Sequence, residues 1–96
     1  MRIMVQRSGG FAGLTENIAN VDTSQLNPET EKEISAMIVN VGFFDYPAVV
    51  TGPVGADMYR YEITVTDGAK RHSVTFVESA PEAAGLFDLV QSLKEI

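Results

Sequence analysis

The chain holds a single histidine, His72, and no cysteine. Zinc sites usually draw on several His or thiolate ligands, so a built-in catalytic metal is not expected, and no other cofactor is implied. His72 falls on the apolar side of a strand pattern, close to a turn. That position suits a half-buried structural histidine, because an acid or base needs a partnered pocket. Glu29, Glu31 and Glu33 cluster at a helix start, where carboxylates form a solvated face favoured by the helix dipole more readily than an acid–base pair. No spacing of Ser, His and Asp supports a nucleophilic triad. The residues argue against an enzyme.

The segment Ser8-Gly9-Gly10-Phe11-Ala12-Gly13 places three glycines in five positions. Glycine-rich loops expose backbone N–H groups that can cradle phosphate. This one lacks the G-x-G-x-x-G spacing and the Lys-Ser/Thr ending, and a strand pattern follows it where a phosphate loop needs a helix. As plain structure it is a roomy hairpin turn. Phe11 argues for more, since a large apolar side chain at a hairpin tip forfeits burial unless it folds back or meets a partner. Flanked by Arg7, it is suited to entering a cleft in another protein.

The elements that hold this tip can be read from periodicity. Ile3 and Val5 alternate with Arg2, Met4 and Gln6, a strand with one face buried, and the return strand from Leu14 to about Val21 is weakly patterned. Asn27-Pro28-Glu29 starts a helix, with Asn27 as cap and Pro28 at the first helical position. Ile34, Met37, Ile38 and Val41 recur at helical spacing, and Gly42 ends the helix, giving a span of 28–41. Phe43, Phe44 and Tyr46 follow and are expected to seal one end of the core. The stretch 48–57, with its prolines and glycines, reads as a shaped loop. Tyr59, Tyr61, Ile63 and Val65 then alternate with polar residues up to Asp67-Gly68, the strongest hairpin signal in the chain. A turn centred on that pair sets Tyr61 opposite Val74 and Tyr59 opposite Phe76. Ser79-Ala80-Pro81-Glu82 has capping-box spacing, and Leu86, Leu89, Val90 and Leu93 mark a terminal amphipathic helix. The expected fold is therefore α+β, ordered β-β-α-β-β-α. It is a four-stranded antiparallel sheet from two hairpins, with helices packed on one face. The ββα pattern recurs, but without sequence similarity.

Length allows one core, so residues 1–96 are read as a single domain. Without cysteines its stability must come from packing and hydrogen bonds. Seven basic and thirteen acidic residues give a net charge of −6, which disfavours nucleic acid and anionic membranes as partners. No stretch reaches the roughly 20 apolar residues of a membrane span. The N-terminus is broken by polar residues and lacks the apolar core of a signal peptide, so a cytoplasmic location is expected.

The run Arg7-Ser8-Gly9-Gly10-Phe11-Ala12-Gly13 resembles the N-terminal signature of the emfourin family, the protealysin-associated inhibitors of thermolysin-type (M4) metalloproteases. Phe43-Phe44 after the acidic helix is similar too. So are Gly55-Ala56-Asp57 before Tyr59-Arg60-Tyr61-Glu62-Ile63-Thr64-Val65, and Asp67-Gly68 leading to Arg71-His72. The resemblance covers nearly the whole chain. It implies a noncovalent inhibitor, commonly encoded beside its protease and without a secretion signal, whose partner is a thermolysin-like metalloprotease. Such enzymes favour large apolar residues just after the scissile bond. The resemblance therefore implies that Phe11 fills or blocks that pocket, with residues 7–13 as the contact segment. Gly55, Ala56 and Asp57 would form a second contact, Asp57 facing the catalytic zinc or a cleft arginine.

The competing reading from a different class is a non-inhibitory module that docks an edge strand or helix onto a larger complex. It predicts no inhibition and recovery of a non-protease partner. A small-ligand domain is third and would need a deep pocket around His72, Tyr59 and Tyr61.

Overall fold

The computed structural model of the chain describes residues 1–9, 14–52 and 58–96. Among the described residues, five strands and two helices run in the order β1 (Arg2–Gly9), β2 (Leu14–Asp22), α1 (Pro28–Asn40), β3 (Val49–Val50), β4 (Tyr59–Asp67), β5 (Lys70–Val77) and α2 (Ala84–Lys94). Single 3-10 turns at Thr23–Gln25, Phe43–Asp45 and Pro81–Ala83 link them. Among the described residues no helix is long and apolar enough to cross a membrane.

The α+β class follows from the patterning, but the sheet is neither four-stranded nor purely antiparallel. Its order is β2-β1-β4-β5-β3, and β3 pairs parallel to β5. The segment read as a shaped loop thus contributes a strand. Two residues are too few to show a period. Their pairing is visible only in space, where the Thr75 N–H donates to the Ala48 carbonyl at 2.8 Å and Val50 is buried.

One face of the sheet is covered by both helices, as the alternation requires. Ile3, Val5, Ile63, Val65 and Val74 are fully buried against Ile34 and Ile38 of α1 and Leu86, Leu89, Val90 and Leu93 of α2. Each such side chain contributes about 1.5–3 kcal/mol of apolar burial. The α1 start is capped as the sequence implies: Asn27 Oδ1 accepts from the Thr30 N–H at 2.9 Å. The helix ends at Asn40 with Val41 as its C-cap, one residue before the expected end. The capping box expected at 79–82 is not formed. A 3-10 turn precedes α2, and neither Ala80 nor Ala83, which occupy the cap positions, has a side chain able to cap.

The second hairpin turns one residue later than expected. Asp67 pairs with Lys70, so Gly68 and Ala69 form the two-residue loop, and Tyr61 faces Phe76 while Ile63 faces Val74. Gly68 takes φ of 61° and Ala69 does not go positive, the pattern of a turn with glycine first. The slip is two residues in register. It therefore leaves every side chain on the expected face.

At the turn end of the sheet the core is closed by aromatic rings. Phe43 is fully buried, with Phe44 edge-on to it at 5.6 Å between centroids. His72 lies 5.6 Å from Phe43, and its Nε2 is 2.7 Å from the Tyr46 carbonyl oxygen. A carbonyl only accepts, so Nε2 carries the hydrogen and is engaged in structure. The Tyr46 hydroxyl donates to the Glu82 carbonyl at 2.8 Å, tying this seal to the start of α2.

Candidate functional site

The opposite end of the sheet is where the chain leaves for both segments singled out by sequence. Gly9 pairs with Leu14 on one side and Tyr59 on the other. The exit into 10–13 and the return from 53–57 are therefore neighbours on adjacent strands. Gly9 has φ of 97°, and a Cβ built on it would lie 2.7 Å from the Met58 carbonyl oxygen. A side chain here would be strained and would also push the two exits apart. Sequence shows a glycine-rich turn; only the fold shows that its first glycine is fitted against Met58, the residue after 53–57.

Arg7, Ser8 and Gly9 lie at this end, whereas Gly10, Phe11, Ala12, Gly13, Gly55, Ala56 and Asp57 lie outside the described residues. Arg7 is held from several sides. Its Nη2 is 2.7 Å from Glu16 Oε2, and the guanidinium carbon sits 4.3 Å from the centroid of the Tyr59 ring. The bond to Glu16 and then one to Tyr61 keep the guanidinium firmly in its charged form, raising its pKa above the ordinary arginine value. Its Nε is buried without a hydrogen-bond partner among the described residues. Arg7 therefore braces the strand that leads into 10–13, with its charge already paired to Glu16 inside the molecule. Tyr61 continues the brace into the core, stacking on Phe76 at 5.5 Å and meeting Phe87 edge-on at 5.6 Å.

Glu16 reaches Arg7 because of a bulge. From Arg2 to Val5 the partners on β2 run from Asp22 to Ala19, but Gln6 faces Asn17, leaving Ile18 as the extra residue. Without that insertion Arg7 would face Asn17 and Glu16 would point to the other side of the sheet. The bulge also explains the weak patterning of β2: inward positions are Val21 and Ala19 before it, then Glu16 and Leu14 after it. Leu14 is 65% exposed at the tip end. Glu16 and Met58 are the residues of this end that spacing alone did not single out, and it read Leu14 and Tyr59 chiefly as strand positions.

Among the described residues no group of three or more His, Cys, Asp or Glu side chains could hold a metal. Glu29 and Glu33 are exposed on α1, and Glu31 is half-buried there. In comparisons with known proteins, the family model described as Emfourin matches residues 5–94. No curated protein and no solved structure matches the chain.

Proposed function

The chain belongs to the emfourin family, a family of protease inhibitors, and from that premise we propose that it inhibits a thermolysin-like (M4) metalloprotease noncovalently. The 8–13 tip is its main contact and the 51–57 segment its second, together occluding the cleft. The protein is a binder with no catalytic role and acts in the cytoplasm. What carries this reading is the shared exit: Gly9 and Met58 are backbone neighbours, so two segments of the recognisable pattern start from one braced base. A base ordered before binding leaves less conformational entropy to lose in the complex. Arg7 serves by positioning the tip, Phe11 by filling the apolar pocket, and Asp57 by facing the zinc or a cleft arginine.

The test is titration of a thermolysin-like protease with the parent chain and three variants. Phe11→Ala and Gly10→Asp are each expected to raise Ki by about tenfold or more, the scale of a lost central apolar anchor. Asp57→Ala is expected to have a smaller effect. Equal inhibition by parent, Phe11→Ala and Gly10→Asp removes the tip from the interface. A parent that does not inhibit, and instead retains a non-protease partner, establishes the docking-module reading.

A further inference from the structure

The face of the sheet left uncovered by the helices differs in charge from the rest of the molecule. By strand register its charged residues are Arg2, Asp22, Arg60, Glu62 and Arg71. Three guanidinium groups thus stand against two carboxylates, in a chain with thirteen acidic and seven basic residues. Arg2 and Arg71 lie at the turn end, both paired with Thr66, whereas Arg60 pairs with Ser8 and Val77 at the loop end. Arg60 is exposed, and the single ion pair among the described residues, Arg7–Glu16, does not involve it.

Beside Arg60 is a depression of about 320 Å³, walled by Val49, Val50, Thr51, Gly52, Thr75 and Val77. Val49 is 58% exposed there, although it sits on a strand whose next residue is buried. The wall at 51–52 runs directly into the second contact segment, and Ser8, paired with Arg60, precedes Gly9. A body seated on both loop exits would therefore border this patch. The chemistry it offers is narrow: an apolar hollow with an unneutralised guanidinium at its rim. A guanidinium takes a carboxylate through two parallel hydrogen bonds, more strongly where water is excluded by apolar neighbours.

We propose that Arg60 and the hollow at Val49 are a second docking surface, seating an apolar side chain and an adjacent carboxylate from the rim of the target protease's cleft. The proposal rests on the inhibitor reading and adds a specificity element outside the cleft itself. Acidic groups elsewhere on the inhibitor repel an acidic rim, so this cationic patch fixes which face approaches.

The experiment measures inhibition and association rates with a thermolysin-like protease at low and high salt, using the full chain, Arg60→Gln, Arg60→Glu, Val49→Asp and Phe11→Ala. Because Arg60 and Val49 are exposed, thermal melts of their variants should match the parent. Arg60→Gln is expected to raise Ki by about fivefold to tenfold at low salt, and Arg60→Glu by more, chiefly through slower association that salt diminishes. Val49→Asp should also weaken inhibition, with little dependence on salt. If Arg60→Glu and Val49→Asp inhibit within twofold of the parent while Phe11→Ala is impaired, the docking surface is wrong and the loop reading stands. If the parent fails to inhibit, both fall. If Arg60→Glu instead abolishes a salt-sensitive self-association in sedimentation, a second copy occupies the patch and the proposal is overturned.

Discussion

The two ends of the sheet solve opposite problems with the same residue types. At the turn end, aromatic rings and polar groups are satisfied within the chain: Phe43 is buried, His72 donates to Tyr46, and Tyr46 donates to Glu82. At the loop end, Arg7, Glu16 and Tyr59 also engage one another, leaving Arg7 Nε unpartnered among the described residues, yet what they support is Gly9, an exposed Leu14 and two chain exits. The lesson is that order and apolar exposure coexist there. A closed end uses its contacts to hide surface, whereas this end uses them to hold surface in place. Ordered support under unburied apolar groups is what the proposed contact surface requires.

Substitutions at the two ends should separate stability from inhibition. The largest loss of stability is expected for Phe43→Ala, about 3–5 kcal/mol by denaturant unfolding, because it empties a fully buried position. The fraction that remains folded should inhibit like the parent; loss of inhibition by folded protein would break the division between the ends. Gly9→Ala should cost about 1–3 kcal/mol, from the positive φ and the approach to Met58. Its Ki should rise more than its lost stability explains, and an unchanged Ki would show that the shared exit does not matter for binding. The smallest effect belongs to Asp22, where β2 ends. Bonds from the Ser24 hydroxyl and then the Ser24 N–H hold its carboxyl below the ordinary aspartate value. A depressed folded pKa contributes stability above the unfolded value of about 4, lost as pH falls through the folded one. Asp22→Asn should therefore flatten the acid limb of the melting-temperature profile and leave inhibition at neutral pH untouched. An acid limb identical to the parent's would show that the Ser24 bonds to Asp22 do not stabilise the fold.

Much of this was legible because side-chain faces survive errors that registers do not. The Asp67-Gly68 pair announces a hairpin, but it does not say whether Asp67 closes the strand or enters the turn. Both choices keep Tyr61, Ile63 and Val65 inward. β3 escaped because Val49–Val50 has no period and its partner is remote in sequence. The brace at Arg7 escaped for another reason: alternation counts residues evenly, and the extra Ile18 shifts Glu16 to the face where Arg7 waits. Of the tip sequence, Arg7, Ser8 and Gly9 lie at the loop end of β1, where the chain leaves for 10–13. The adjacency of Gly9 to the return at Met58 is a property of strand pairing alone.

The short parallel strand also sets a timetable. β3 is synthesised before β4 and β5, yet it can pair only with Thr75 and Phe76, which are laid down after it. The β4–β5 hairpin is local and closes on its own, in about 1–10 μs for an isolated hairpin. Val50 must wait for it, because closing the intervening chain without that hairpin costs entropy with no contact in return. The first hairpin can thus exist on a growing chain while one wall of the loop end is still missing. The surface proposed for contact is among the last parts of the molecule to be finished.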